Sequence, residues 1–218
     1  AAYQANGNAA MGIKNNPPQI DFAVVKAHVA SVIATIEPHD SIARFEGLGV
    51  TVIPEMAYFT GPREVRSATA SVRAKYIVIA SGSRPMLPPI PGLNEVDYHT
   101  NETIFADREK PDHLLIIGGG PIGVEMAQAH ARLGCNVTLI EAVEIMTRDD
   151  PELVAILRQE LIKSGVKLIE GIGATGLSKS TRKGRSVITA SLANGKQVTG
   201  SHLLMAVGRE PALNHLGL

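Results

Sequence analysis

The sequence predicts an α/β fold of the Rossmann type, a parallel sheet with flanking helices and a β-hairpin or meander arm. Three observations carry that expectation. Residues 114–117 (LLII) form an apolar run short enough for a strand buried on both faces. A glycine turn follows directly, and a helical segment leads from it into a second apolar run, 136–140. Further on, Asn194 and Gly195 stand between two alternating runs, 187–192 and 197–199, the strongest short signal for a β-hairpin.

From the start of the chain, residues 1–16 are small and polar and are expected to be poorly ordered. A helical region begins after Pro17, with Asp21 as N-cap and Phe22, Val25, Val29, Val32, Ile33 and Ile36 along one face. Pro38 should end it, because proline lacks the amide that continues a helix. A further turn over 41–46 should stop at Gly47. Residues 50–53 read as a short strand. Ala57, Tyr58 and Phe59, a turn at Gly61 and Pro62, and β material around Val65 and Val72 come next. Residues 76–80 (YIVIA) read as a second continuous buried strand.

Pro85, Pro88, Pro89 and Pro91 force an extended connection, which suits a domain boundary. A short helix capped near Thr100 or Asn101 should reach about Asp107. After the glycine unit, Asp150, Pro151 and Glu152 start a helix that ends at Ser164 and Gly165. Residues 166–169 add a strand, and 203–207 form a last buried strand ending on Gly208.

Gly118, Gly120 and Gly123 fit G-x-G-x-x-G between strand and helix. The first glycine makes the tight turn, the second lets backbone approach a pyrophosphate, and the third lets the helix close on the sheet. Gly119, Pro121 and Ile122 complete the loop, whose helix aims free N–H groups at that pyrophosphate. Glu141 follows eighteen residues after Gly123, where an acid accepts hydrogen bonds from ribose hydroxyls. A 2′-phosphate there would meet a like charge, and no basic residue follows at once, so NAD is favoured over NADP. Arg148 alone stands close enough in sequence to reach back.

Composition excludes other classes. Twenty-one basic residues balance twenty-one acidic ones, so neither a nucleic acid nor a membrane surface is indicated as partner. No apolar run approaches the ~20 residues of a membrane-spanning helix. One cysteine rules out an internal disulfide framework and fits a reducing cytoplasm, the expected location. Cys135 has no partner and reads as an inert core thiol. The seven histidines make no H-x-x-x-H or H-x-x-H pair, so no metal site is expected. His39, Asp40 and Ser41 are too close in sequence for a catalytic triad and read as a turn and a helix cap. No catalytic residue is assigned. Arg84 and Arg209 follow glycine turns and either touch phosphate or face solvent.

Three motifs stand in order: IASGSRP at 79–85, the glycine unit at 118–141, and AVGREP at 206–211. Together they resemble the flavin-dependent pyridine nucleotide–disulfide oxidoreductases, nearest to members like dihydrolipoamide dehydrogenase and mercuric reductase. The resemblance implies FAD and NAD as cofactors and a homodimer for the intact enzyme. It implies that Ser81, Gly82 and Ser83 lie close to FAD, with Ser81 in place of the usual threonine, and that the Ala57 backbone meets its adenine. Gly208 would approach NAD. Glu125 matches a glutamate that pairs with a lysine beside the flavin ring, although an acid early in a helix is also favoured by the helix dipole. Pro121 stands where some relatives carry a gating aromatic, which puts that gate in doubt.

The family's first FAD glycine motif, its C-x-x-x-x-C redox pair, its dimerisation domain and its His–Glu acid/base pair are not among these residues. The resemblance therefore implies the middle of a longer flavoenzyme: residues 1–112 as the later half of an FAD domain, 113–211 as an NAD domain, and 212–218 as the return. Two readings follow, an NAD-linked flavoprotein oxidoreductase, or a nucleotide-binding fragment without turnover. A flavin-free dehydrogenase is disfavoured, since neither a substrate domain nor an acid/base pair is evident.

Overall fold

A computed structural model describes residues 18–218 together with Ala5 and Gly12. The expectation for residues 1–16 falls almost wholly outside the described residues. In chain order the elements are α1 (Phe22–Ile36), α2 (Ile42–Gly47), β1 (Tyr58–Gly61), β2 (Glu64–Arg66), β3 (Ser71–Arg73), β4 (Ser83–Pro85), β5 (His113–Ile117) and α3 (Pro121–Arg132). They continue with β6 (Asn136–Ile140), α4 (Pro151–Lys163), β7 (Val166–Ile169), β8 (Ala174–Arg182), β9 (Arg185–Leu192), β10 (Gln197–Gly200), β11 (His202–Met205) and β12 (Arg209–Pro211). By density of contacts the chain forms two compact units. One holds the described residues up to Ala30 with Pro85–Gly208, the other Ser31–Arg84 with Arg209–Leu218.

The larger unit is built on a parallel sheet in the order β11-β5-β6-β7. Along most of their length β5, β6 and β11 bury both faces, which is why they read as near-continuous apolar runs, whereas the edge strand β7 exposes Lys167. Alternate side chains of β5 serve different layers. Leu114 and Ile116 pack with Val124 and Ala127 of α3 and with Val154 and Leu161 of α4. Leu115 and Ile117 pack with Leu177 of β8 and with Ile188, Ala190 and Leu192 of β9. Each fully buried Leu or Ile here contributes roughly 1.5–3 kcal/mol relative to exposure. One face of the sheet is thus covered by helices and the other by the antiparallel sheet β10-β9-β8.

The arm is larger than the sequence suggested. The Asn194–Gly195 hairpin joins β9 to β10 as expected, and Gly195 takes φ 78°. Strand β8 had no expectation at all. Its C-terminal half is exposed and polar, which hides the alternation that marks a strand. The signal was in the next turn: Lys183 (φ 51°) and Gly184 (φ 75°) both have positive φ between the paired Arg182 and Arg185. That is the backbone of a two-residue type I′ hairpin.

Helix caps follow the sequence. Asp21 Oδ1 accepts from the amides of Ala23 and Val24, and Asp150 from that of Glu152. The stripe on α1 is only partly used: Phe22 is buried, whereas Val32, Ile33 and Ile36 are exposed. Pro38 lies in a 3-10 turn directly after α1. Ser41 caps α2 through the Arg44 amide, so the His39–Asp40–Ser41 run is a turn and a cap. The short helix expected near 100–107 is instead a run of turns over 101–106, held by the Ile104 amide on the Thr100 carbonyl. Cys135 is buried, and burial pushes its thiol pKa up, consistent with an inert thiol.

In the smaller unit β1, β2 and β3 form an antiparallel sheet, with the Gly61–Pro62 turn between β1 and β2, and β4 pairs with β12. Two expected strands are absent there. Residues 50–53 and 76–80 belong to no strand, and Tyr76 and Val78 are 79% and 87% exposed. The apolar composition was read correctly. A strand also needs a neighbour to satisfy its backbone groups, and among the described residues neither run is paired into a sheet; the Val50 amide goes instead to the Phe45 carbonyl at 3.1 Å.

Candidate functional site

The glycine turn sits at the C-terminal end of β5, where open parallel sheets bind ligands. Gly118 takes φ 112°, a conformation that strongly favours glycine, and a Cβ there would lie 2.3 Å from the Ala206 carbonyl oxygen. At Gly123, in the first turn of α3, a Cβ would lie 1.9 Å from the Gly118 carbonyl oxygen. These two positions are fixed by close approach of backbone to backbone. Gly120 differs, since a Cβ there would meet nothing within 4 Å. It is the N-cap of α3, no side chain caps the helix, and Pro121 occupies the first turn. The exposed Pro121 and half-buried Ile122 lead the helix out of the turn.

Glu141 lies where the sequence placed it, just past the end of β6. Its Oε2 accepts the Gly119 amide at 2.6 Å and its Oε1 the Val143 amide at 3.0 Å. One carboxylate therefore braces the glycine turn and the loop leaving β6. The structure brings together Gly118, Gly119, Gly120, Gly123 and Glu141 as expected. Ala206 closes on the same turn from beyond β11, its amide bonded to the Ile117 carbonyl at 2.8 Å. Gly208, two residues later, is exposed with φ 140°. Glu125 is exposed too, but it lies beyond the first turn of α3, which holds no acid. The expected dipole stabilisation of Glu125 is corrected accordingly, because that effect fades after one turn. Arg148 lies exposed in the turn over 145–148.

Sequence reasoning missed the support of this site. Glu170, just past β7, takes Arg158 of α4 in two hydrogen bonds of 2.8 and 3.0 Å and accepts the Ile145 amide at 2.9 Å. Gly119 in turn accepts the Met146 amide at 2.9 Å. The loop after Glu141 is thereby held from both sides. An i+12 acid–base pair between a helix and a strand end has no sequence signature, so nothing flagged it. The Arg158 hydrogen bonds hold the Glu170 carboxyl below the ordinary carboxylate range, against a smaller opposing effect of burial. With the folded pKa depressed, the pair's stabilisation is full above the unfolded value near 4.5 and is lost as pH falls through the folded value. Glu170→Gln should therefore flatten the acid limb of a melting-temperature profile taken downward from neutral pH. An unchanged acid limb would show that the pair contributes nothing.

In the smaller unit Ala57 is half-buried ahead of β1, while Ser81, Gly82 and Ser83 are exposed. Gly82 has φ 70°, and its carbonyl accepts the Ala212 amide at 3.1 Å. Ser83 Oγ accepts Arg209 Nε at 2.8 Å, and Arg84 pairs with Glu210 at 2.6 Å. Both arginines have protein partners and are exposed. Among the described residues no helix is long and apolar enough to cross a membrane.

Comparison with known proteins bears on the whole stretch. A family model described as pyridine nucleotide-disulphide oxidoreductase matches residues 10–217. The chain is 34% identical over 214 residues to mercuric reductase of Streptomyces lividans, covering 95% of this chain and 44% of that protein. It is 36% identical over 178 residues to dihydrolipoyl dehydrogenase of Thermus scotoductus, covering 79% of this chain and 38% of that one. Among solved structures it is similar to a Cu(II) complex of the HOCl-induced flavoprotein disulfide reductase RclA from Escherichia coli. The TM-score is 0.78 at 26% identity, over 91% of this chain and 45% of that one. The chain spans less than half the length of each of these proteins.

Proposed function

The chain belongs to the pyridine nucleotide-disulphide oxidoreductase family, and on that premise we propose that residues 113–211 bind NAD(H) within a flavoprotein oxidoreductase. The carrying observation is the uncapped start of α3 beside an open Gly120, with Glu141 held at the same turn. First-turn amides with no side-chain partner suit a pyrophosphate, and the field of the helix favours its charge. Gly120 leaves the room that backbone approach requires. Glu141 presents a carboxylate to ribose hydroxyls, each such charge-assisted bond worth about 1.5–3 kcal/mol. The same charge repels a 2′-phosphate, which supports NAD over NADP.

Ser81, Gly82, Ser83 and the Ala57 backbone are the residues that would lie against FAD, on the order of motifs they share with the family. Hydride exchange between nicotinamide and flavin is the chemistry these cofactors supply when bound. This chain's own part is to bind and orient. The glycine turn would hold the pyrophosphate, Glu141 would hold the ribose, and Gly208 would let backbone approach the coenzyme without a side chain to obstruct it.

Calorimetry with each reduced coenzyme tests the reading. NADH is expected to bind, and NADPH to bind at least about tenfold more weakly, since ~1.4 kcal/mol corresponds to a factor of ten. Equal affinity would remove the ribose role of Glu141. Absence of heat with both would remove the dinucleotide reading itself.

A further inference from the structure

Away from the glycine turn, two imidazoles and a carboxylate from distant parts of the chain converge in the larger unit. His99 Nε2 lies 3.3 Å and His202 Nε2 3.5 Å from the same oxygen, Oδ2 of Asp107. One ligand atom from each of the three residues lies within 4.8 Å of the others. The two rings lie nearly parallel, 13° apart, with centroids 6.1 Å from each other. We propose that His99, Asp107 and His202 form a binding site for a divalent first-row cation, with zinc as the type ion.

The distances fit that chemistry. Zinc bonds to imidazole nitrogen and carboxylate oxygen are about 2.0–2.2 Å, so neighbouring ligands of a tetrahedral ion stand roughly 3.3–3.5 Å apart. Two of the three edges already have that length. Two histidines and one carboxylate also form a recurrent protein ligand set for zinc, with a fourth position left for water or substrate.

Each ligand is aimed by backbone or a second partner. His99 is clamped against β11, its amide donating to the Leu203 carbonyl at 2.7 Å and its carbonyl accepting the Met205 amide at 2.8 Å. Asp107 Oδ1 accepts the Glu109 amide at 3.0 Å, which turns Oδ2 toward the two rings. His202 Nδ1 lies 2.9 Å from Ser201 Oγ, and Ser201 Oγ lies 3.2 Å from the His113 carbonyl oxygen. In the tautomer with Nδ1 protonated, His202 donates to Ser201 while Ser201 donates to the His113 carbonyl, and Nε2 keeps the lone pair that a cation between it and the Asp107 carboxylate would use; outer-shell bonds of this kind set the tautomer of metal-ligating histidines.

Lys26, from α1, is engaged elsewhere, its ammonium donating to the Ile104 carbonyl at 2.7 Å. The cluster opens into a cavity of about 590 Å³ whose lining mixes Asp97, Glu109 and Asp112 with Lys110 and Arg185, and there Arg185 pairs with Asp112 at 2.8 Å.

The experiment is Zn²⁺ titration of the 218-residue chain, read by calorimetry and by imidazole proton resonances. One equivalent is expected to bind, shifting the resonances of His99 and His202 together. Asp107→Asn and His202→Gln should each weaken binding by about tenfold or more, and Ser201→Ala by about tenfold through the outer shell. His215→Ala should leave it unchanged. Co²⁺ in place of Zn²⁺ should give the visible absorption of a four-coordinate site. Absence of binding, or shifts confined to other histidines, would leave a hydrogen-bonded His–Asp–His cluster and overturn the proposal. Equal affinity in Asp107→Asn would do the same.

Discussion

Glu141→Ala is expected to weaken NADH binding at least about tenfold, with most of the loss in the adenosine half of the coenzyme. Two effects add. The variant loses the bonds to ribose, about 1.5–3 kcal/mol apiece. It also frees the Gly119 and Val143 amides, which the carboxylate now holds at 2.6 and 3.0 Å. The turn and the following loop lose their common brace, so binding the pyrophosphate then carries an additional ordering cost. Glu141→Gln separates the two contributions in part: its single amide oxygen can accept one of the two backbone N–H groups, its NH2 cannot accept the other, and the charge is gone. Fluorescence titration of NADH with both variants measures the difference. Wild-type affinity in the alanine variant would mean that this acid does not read the coenzyme.

Gly123→Ala is expected to damage the fold itself, by roughly 3 kcal/mol or more. The added methyl would stand 1.9 Å from the Gly118 carbonyl oxygen. That atom belongs to backbone, so relief requires α3 to move away from β5, and such overpacking carries large penalties. At about 2–4 °C of melting temperature per kcal/mol for a domain of this size, the shift is easily measured. Gly120→Ala is the contrasting variant. Its methyl meets nothing within 4 Å, so the melting temperature should hold while NADH affinity drops. A Gly123→Ala protein that melts like wild type would show that the third glycine is not needed to close helix on sheet. Parallel behaviour of the two variants would deny them separate roles.

Legibility in the sequence followed how local each determinant is. β5, α3, β6, α4 and β7 were readable because the strands are short apolar runs, buried on both faces in β5 and most of β6, and every helix carries its own cap or break. Glu141 was readable from spacing alone. The brace from Arg158 and Glu170, and the convergence of His99, Asp107 and His202, were not, because they depend on which strand ends meet in space. β8 was hidden for a different reason: half of it faces water, and its polar residues lack the alternation of a half-buried strand. Residues 76–80 failed in the opposite direction. A β-branched apolar run is a necessary condition for a buried strand and not a sufficient one.

The two-sided covering of the central sheet has a consequence for how this chain acquires its structure. The helical side is supplied mainly by residues contiguous with the strands they cover, from β5 through β7. On the opposite side Leu93 and Val96 precede the sheet, but β8 and β9, and the second neighbour of β5, come from residues beyond 173. During synthesis, therefore, a βαβαβ intermediate emerges with Leu115, Ile117 and Ile140 lacking the β8–β9 part of their cover. Closure over them must wait for pairings of long sequence separation, the slow and aggregation-exposed kind.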